Sequence, residues 1–208
     1  MDEDIDPEDT YGTLDAVVDL DRLLANAQDR LYEGIEPVGT RPATPIQKAT
    51  LELAIPTISI AAGVRELIRE GCLVPALVLL RSLIERTATL NYVIHVPGAL
   101  EMWESGWPHQ SRPSLRLRLS SMLRLSGDAA DQLMEAMSAY NGMVHGDPKA
   151  AGQNRIQLPG DDMPVAITHD YGSPQRASAI ALEAGVMLAY LSALIEVAYP
   201  ENPLEPHE

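Results

Sequence analysis

The chain has 208 residues and a net charge of −15, 30 acidic against 15 basic, a balance that opposes nucleic-acid binding unless basic residues gather locally. It is 46% hydrophobic, enough for one sizeable domain with a real core and too much for wholesale disorder, and without Phe that core must be Leu, Ala, Val, Ile and Met. A lone cysteine, Cys72, excludes an internal disulfide framework and fits a reducing cytoplasm.

Residues 1–12 read as an acidic, flexible lead-in with no secretory signal. Thr13 caps a first helix running to about Tyr32, with Leu14, Val17, Val18, Leu24 and Leu31 at helical spacing and Asp19 and Asp21 on the wet side. A Gly-, Pro- and Thr-rich connector covers 34–45. The long apolar run from Ile46 to about Glu70 is interrupted by Pro56, which predicts a kinked helix or two short ones. Its distal part, Ile58 to Val64, is apolar nearly all round, as in a central helix, and Gly71 ends it. No apolar run reaches the roughly 18–20 residues needed to span a bilayer, so no membrane association is expected.

The next helix runs from Val74 to about Ile94, with Pro75 in its first turn. Cys72, at its start, could have a lowered pKa, although a lone cysteine there is more often a small buried hydrophobe. Arg81 and Glu85 sit among apolar residues, four apart, and can pair; this helix is predicted to pack against the one ending at His145. A short helix, Ala99–Glu104, and a loop carry Trp103 and Trp107. Between Gly106 and Gly127 there is no acidic residue, while Arg112, Arg116, Arg118 and Arg124 all occur. That reversal of charge makes the stretch a candidate anion or RNA surface, the plainer alternative being a solvated helix face, with Leu115, Leu119 and Leu123 on the core.

A helix from about Asp128 to His145 follows, capped by Ser126 or Asp128. Helical periodicity is then lost, and RIQL and PVAIT around PGDDM suggest a small β-hairpin insertion near 150–168. The final helix, about Pro174 to Ala198, is apolar on more than one face, which predicts burial in a bundle or a dimer interface. A polar tail closes the chain at 200–208. The expected architecture is all-α: a bundle of five to seven helices forming a single domain over 13–199.

Phosphate-loop, dinucleotide and zinc signatures are absent, and the histidines show no metal-ligand spacing, so neither metal nor cofactor is expected. What stands out is Ser138 to Pro148, a helix end closed by Gly146 and stopped by Pro148. Asn141 and His145 project from one face with Tyr140 beside them, and the helix dipole favours a protonated histidine there. The plainer reading is that the pair closes the helix end and satisfies buried backbone groups.

The combination of L-L-R-S-L-I-E-R at 79–86 with Y-N-G-M-V-H-G-D-P at 140–148 resembles the HEPN superfamily, over roughly residues 45–148 plus the final helix. The resemblance implies a dimerising helical bundle, often a metal-independent ribonuclease of toxin–antitoxin, phage-defence or RNA-processing systems. By it, Asn141 matches the polar residue after the family's arginine, His145 matches its histidine, and Tyr140 occupies the arginine's own position. His145 would then act as acid or base on a ribose 2′-hydroxyl, with Tyr140, Asn141 and an arginine such as Arg81, Arg116 or Arg118 holding the phosphate. The loss of the arginine leaves a different class open: a non-catalytic acidic binding module, antitoxin-like, engaging a basic protein partner. A structural homodimer whose polar residues only fix packing is a third reading.

Overall fold

A computed structural model describes residues 11–35, 42–107, 112–122, 127–144, 155–157, 164–166, 169–170 and 173–200. These form seven helices: α1 (Asp15–Ile35), α2 (Pro45–Arg69), α3 (Leu73–His95), α4 (Ala99–Glu104), α5 (Leu115–Ser121), α6 (Gly127–Val144) and α7 (Pro174–Ala198). Between α6 and α7, β1 (Arg155–Gln157) pairs antiparallel with β2 (Pro164–Ala166), with Ile156 opposite Val165, at the position predicted for a hairpin. The protein is an all-α bundle carrying this small ribbon.

Local chemistry sets the helix ends. Thr44 and Gln47 form a reciprocal capping box: the Thr44 hydroxyl accepts from the Gln47 N–H (3.3 Å), and the Gln47 side chain accepts from the Thr44 N–H (3.0 Å). At the other end of α2, Gly71 takes φ +72, with Gly71 N–H on the Ile68 carbonyl (2.9 Å) and Cys72 N–H on the Leu67 carbonyl (2.7 Å). That turn folds α3 back against α2. Pro56 lies inside α2 without ending it, so this stretch is one helix and not two. Packing on both sides carries the helix past the carbonyl of Glu52, which loses its usual donor.

α3 is the hub, in contact with α2, α4, α5, α6 and α7. Leu80, Leu83, Ile84 and Leu90 from α3 join Leu20 of α1, Ile68 of α2 and Leu188 and Leu191 of α7 in one apolar cluster. α1 and α7 run parallel: Leu23 meets Gly185, the Arg30 guanidinium pairs with Glu196 (3.1 Å), and Gly34 lies against the Tyr199 ring. Tyr11 ties the start of this pair together, donating to the Asp170 carbonyl (2.6 Å) and accepting from the Ser173 N–H (3.0 Å).

Two expectations are corrected. Val18, assigned to the buried side of α1, is exposed, and the core positions are Val17, Leu20, Ala27 and Leu31. The final helix, contrary to the expectation that no run is long enough, is long and apolar enough to cross a membrane by length and composition; over half of that stretch is buried inside the bundle. Its charges, Arg176, Glu183 and Glu196, are few and widely spaced along the helix.

Candidate functional site

Arg81, Glu85 and Thr89 recur every fourth residue and therefore line one face of α3. The Arg81 Nε donates to Glu85 Oε1 (3.0 Å), and Nη2 lies 2.8 Å from the same oxygen, as the spacing predicts. The Arg81 Nη1 donates across to the Asn141 side-chain oxygen on α6. The two stretches that carry the family resemblance are thus joined by a hydrogen bond. α6 runs antiparallel to α3, with Asp131 near α5 at one end and Asn141 at Arg81 toward the other.

Tyr140 turns away from this contact into the bundle. It is 9% exposed, and its hydroxyl donates to the Glu183 carboxylate of α7 (3.0 Å). Burial first, then the charge of Glu183 and the hydrogen bond to it, push the phenol far above its ordinary range. Tyr140 is therefore a neutral donor committed to Glu183.

α5 contributes the least expected element. Arg118 is 7% exposed, whereas its neighbour Leu117 is 51% exposed. The Arg118 Nη1 donates to the Thr89 hydroxyl and, at 3.4 Å, to the Glu85 carbonyl, which also accepts from the Thr89 hydroxyl (2.7 Å). Desolvation lowers the Arg118 pKa, the Glu85 carboxylate opposes that, and the nearby Arg112 charge adds to it. Arg116 is exposed and bonded to Asp131 (2.8 Å); the pairing raises the guanidinium pKa and lowers the carboxyl's.

The four arginines of the predicted RNA surface, Arg112, Arg116, Arg118 and Arg124, do not share one setting. Arg118 faces inward and Arg116 already has an acidic partner, while Arg112 is exposed. Arg124 lies outside the described residues, as does His145, the proposed acid or base. At Cys72 the outcome goes with the plainer reading, that of a part-buried apolar side chain. Burial, then the Glu70 charge, raise its thiol pKa where a helix-start position suggested a fall.

Sequence reasoning missed Glu183 as the partner of Tyr140, although an acid inside an Ala- and Leu-rich helix was the available signal. It also missed a second knot. Asn91, fully buried, donates to the Ser121 hydroxyl of α5 (3.0 Å) and accepts from the Tyr190 hydroxyl of α7 (2.7 Å). No family model, curated protein or solved structure matches the chain.

Proposed function

We propose that this is a HEPN-like cytoplasmic protein, of toxin–antitoxin or phage-defence type, whose site binds and does not cleave. One observation carries the reading. Tyr140, at the position where the resemblance calls for an arginine, is a buried neutral phenol bonded to Glu183, so it offers a phosphate no positive charge. The cation bonded to Asn141, Arg81, is already shared with Glu85. With a net charge of −15, the surface suits a basic protein partner better than RNA. A homodimer belongs to the same reading: Leu182, Val186, Ala189, Ala193 and Val197 form an exposed apolar stripe at three- and four-residue spacing along α7.

Purified protein and His145→Ala are incubated with RNA at low salt with EDTA present. The expected result is that neither cleaves. Cleavage by the wild type alone would overturn the reading in favour of a metal-independent ribonuclease using His145. The Arg81–Asn141 contact favours that second reading, since it sets a guanidinium beside the motif that lacks its own; cleavage would then disappear in Arg81→Ala.

A further inference from the structure

The acids of α1 fall into two groups. Asp15 lies in the first turn, where the positive end of the helix dipole favours it, Asp19 pairs with Arg22 (2.7 Å), and Asp21 pairs with Arg65 of α2. Asp29 and Glu33 have no such support. They are like charges four residues apart, and Glu33 sits in the last turn, at the negative end of the dipole, where no basic residue occurs. Among the described residues Asp29 forms no ion pair, and Glu33 has only a 3.6 Å contact with Arg30, whose guanidinium lies closer to Glu196 (3.1 Å).

The same end of α1 carries Tyr32, at 71% the most exposed large hydrophobic side chain among the described residues. Asp29 is three residues from Tyr32 and four from Glu33, so it neighbours both on the helix surface. Here the surface is hollowed. A cavity of about 470 Å³ opens to solvent, lined among the described residues by Asp29, Tyr32, Glu33 and Ile35. Its wall combines two carboxylates, an aromatic ring and an aliphatic side chain. That set suits a cation on an apolar stem, the head against the carboxylates and the ring face and the stem along Ile35. A free small cation would stay largely wet in so open a cavity, whereas a side chain held by the rest of a folded partner needs only its tip covered.

We propose that this cavity, at the C-terminal end of α1, receives an arginine side chain of a basic protein partner, its guanidinium against the Tyr32 ring and bonded to Asp29 and Glu33. The inference rests on the reading of this protein as an acidic binding module and gives that module's partner its anchor. Arginine suits the cavity better than lysine: its planar head can lie flat on a ring while its N–H groups reach two separate carboxylates, and it sheds water more readily than an ammonium.

The test is fluorescence anisotropy of labelled octa-arginine and octa-lysine peptides titrated with the full chain at low salt. Tyr32→Ala leaves the net charge unchanged, so the long-range field cannot account for any loss it causes. It is expected to weaken octa-arginine binding by about two- to fivefold, the range for a cation on an exposed ring, and to weaken octa-lysine binding less. Tyr32→Phe, which keeps the ring, should bind octa-arginine as the wild type does. Asp29→Asn should weaken it more than Glu104→Gln, which removes one exposed charge from α4 instead. All three positions are exposed, so these variants keep the fold. A Tyr32→Ala affinity equal to wild type, or an Asp29→Asn loss no larger than that of Glu104→Gln, overturns the site while octa-arginine still binds and the acidic-module reading stands. Equal Tyr32→Ala losses for the two peptides overturn arginine as the occupant. No octa-arginine binding to the wild type overturns the site and the acidic-module reading together.

Discussion

The Tyr140 hydroxyl loses its solvent on folding and gains a carboxylate neighbour, and both changes hold its proton in place. In the unfolded chain the phenol ionises near 10, and in the folded protein well above that. Below pH 10 both states keep the proton, and this group gives stability no pH dependence. Above it the unfolded chain releases the proton first, so the native state binds more protons and stability falls as pH climbs. Burial raises Tyr11 and Tyr199 as well, and their contributions have the same sign. Tyr140→Phe should therefore lose less stability than wild type between about pH 8 and pH 11, measured as the change in urea midpoint. Equal losses in the two proteins would show that the phenol keeps its proton no better folded than unfolded. The Arg81–Glu85 pair was legible from an i,i+4 spacing alone. Arg118 was not, for a reason visible in hindsight: L-R-L-R-L alternates every second residue, so on a helix its leucines spread over two faces and an arginine must share one of them. Which arginine turns inward depends on how α5 docks on α3, and no local pattern records that.

Helices in this bundle are held in register by side chains that reach across, and Asn91 does so for three at once. Its amide joins α3 to Ser121 of α5 and Tyr190 of α7, with no solvent to replace either partner. The Ser121 hydroxyl is itself aimed by donating to the Arg118 carbonyl (2.6 Å). Asn91→Ala removes two hydrogen bonds and leaves a small void, at a cost of about 2–4 kcal/mol in urea unfolding. Asn91→Asp retains an acceptor for Tyr190 but places a carboxylate in the core, and should be no better than the alanine variant. A loss near zero for Asn91→Ala would mean that α5 and α7 dock through apolar contacts alone. The order and type of helices were readable because punctuation is local: Gly71 takes the left-handed conformation that ends α2, and Pro75 sits harmlessly in the first turn of α3. The fate of Pro56 was harder to read. A proline breaks an isolated helix, and only the neighbours that bury Leu53, Ala54, Thr57 and Ile58 on either side decide whether the axis continues.

Over the whole molecule, charge is the dominant long-range force. With 30 acidic against 15 basic residues, the folded chain concentrates like charges that an unfolded chain can separate, and this repulsion opposes folding. Several ion pairs act in the opposite sense, among them Arg30–Glu196, Arg116–Asp131 and the Arg65 contacts to Asp21 and Glu66. Salt screens both kinds of interaction, so its net effect reveals which is larger. Partly or fully exposed pairs contribute about 0–1 kcal/mol each and are few. The repulsion involves every unpaired acid and acts over distances comparable with the roughly 10 Å screening length at 0.1 M salt. Repulsion should therefore win. Raising NaCl from about 10 mM to about 150 mM is expected to increase the urea midpoint, with most of the gain complete once the screening length falls below the spacing of surface acids. A midpoint that falls over this range would mean that the paired charges outweigh the excess ones. The same field predicts how a basic partner would behave: its association should slow as salt rises, because attraction between opposite net charges sets the encounter rate before any contact forms.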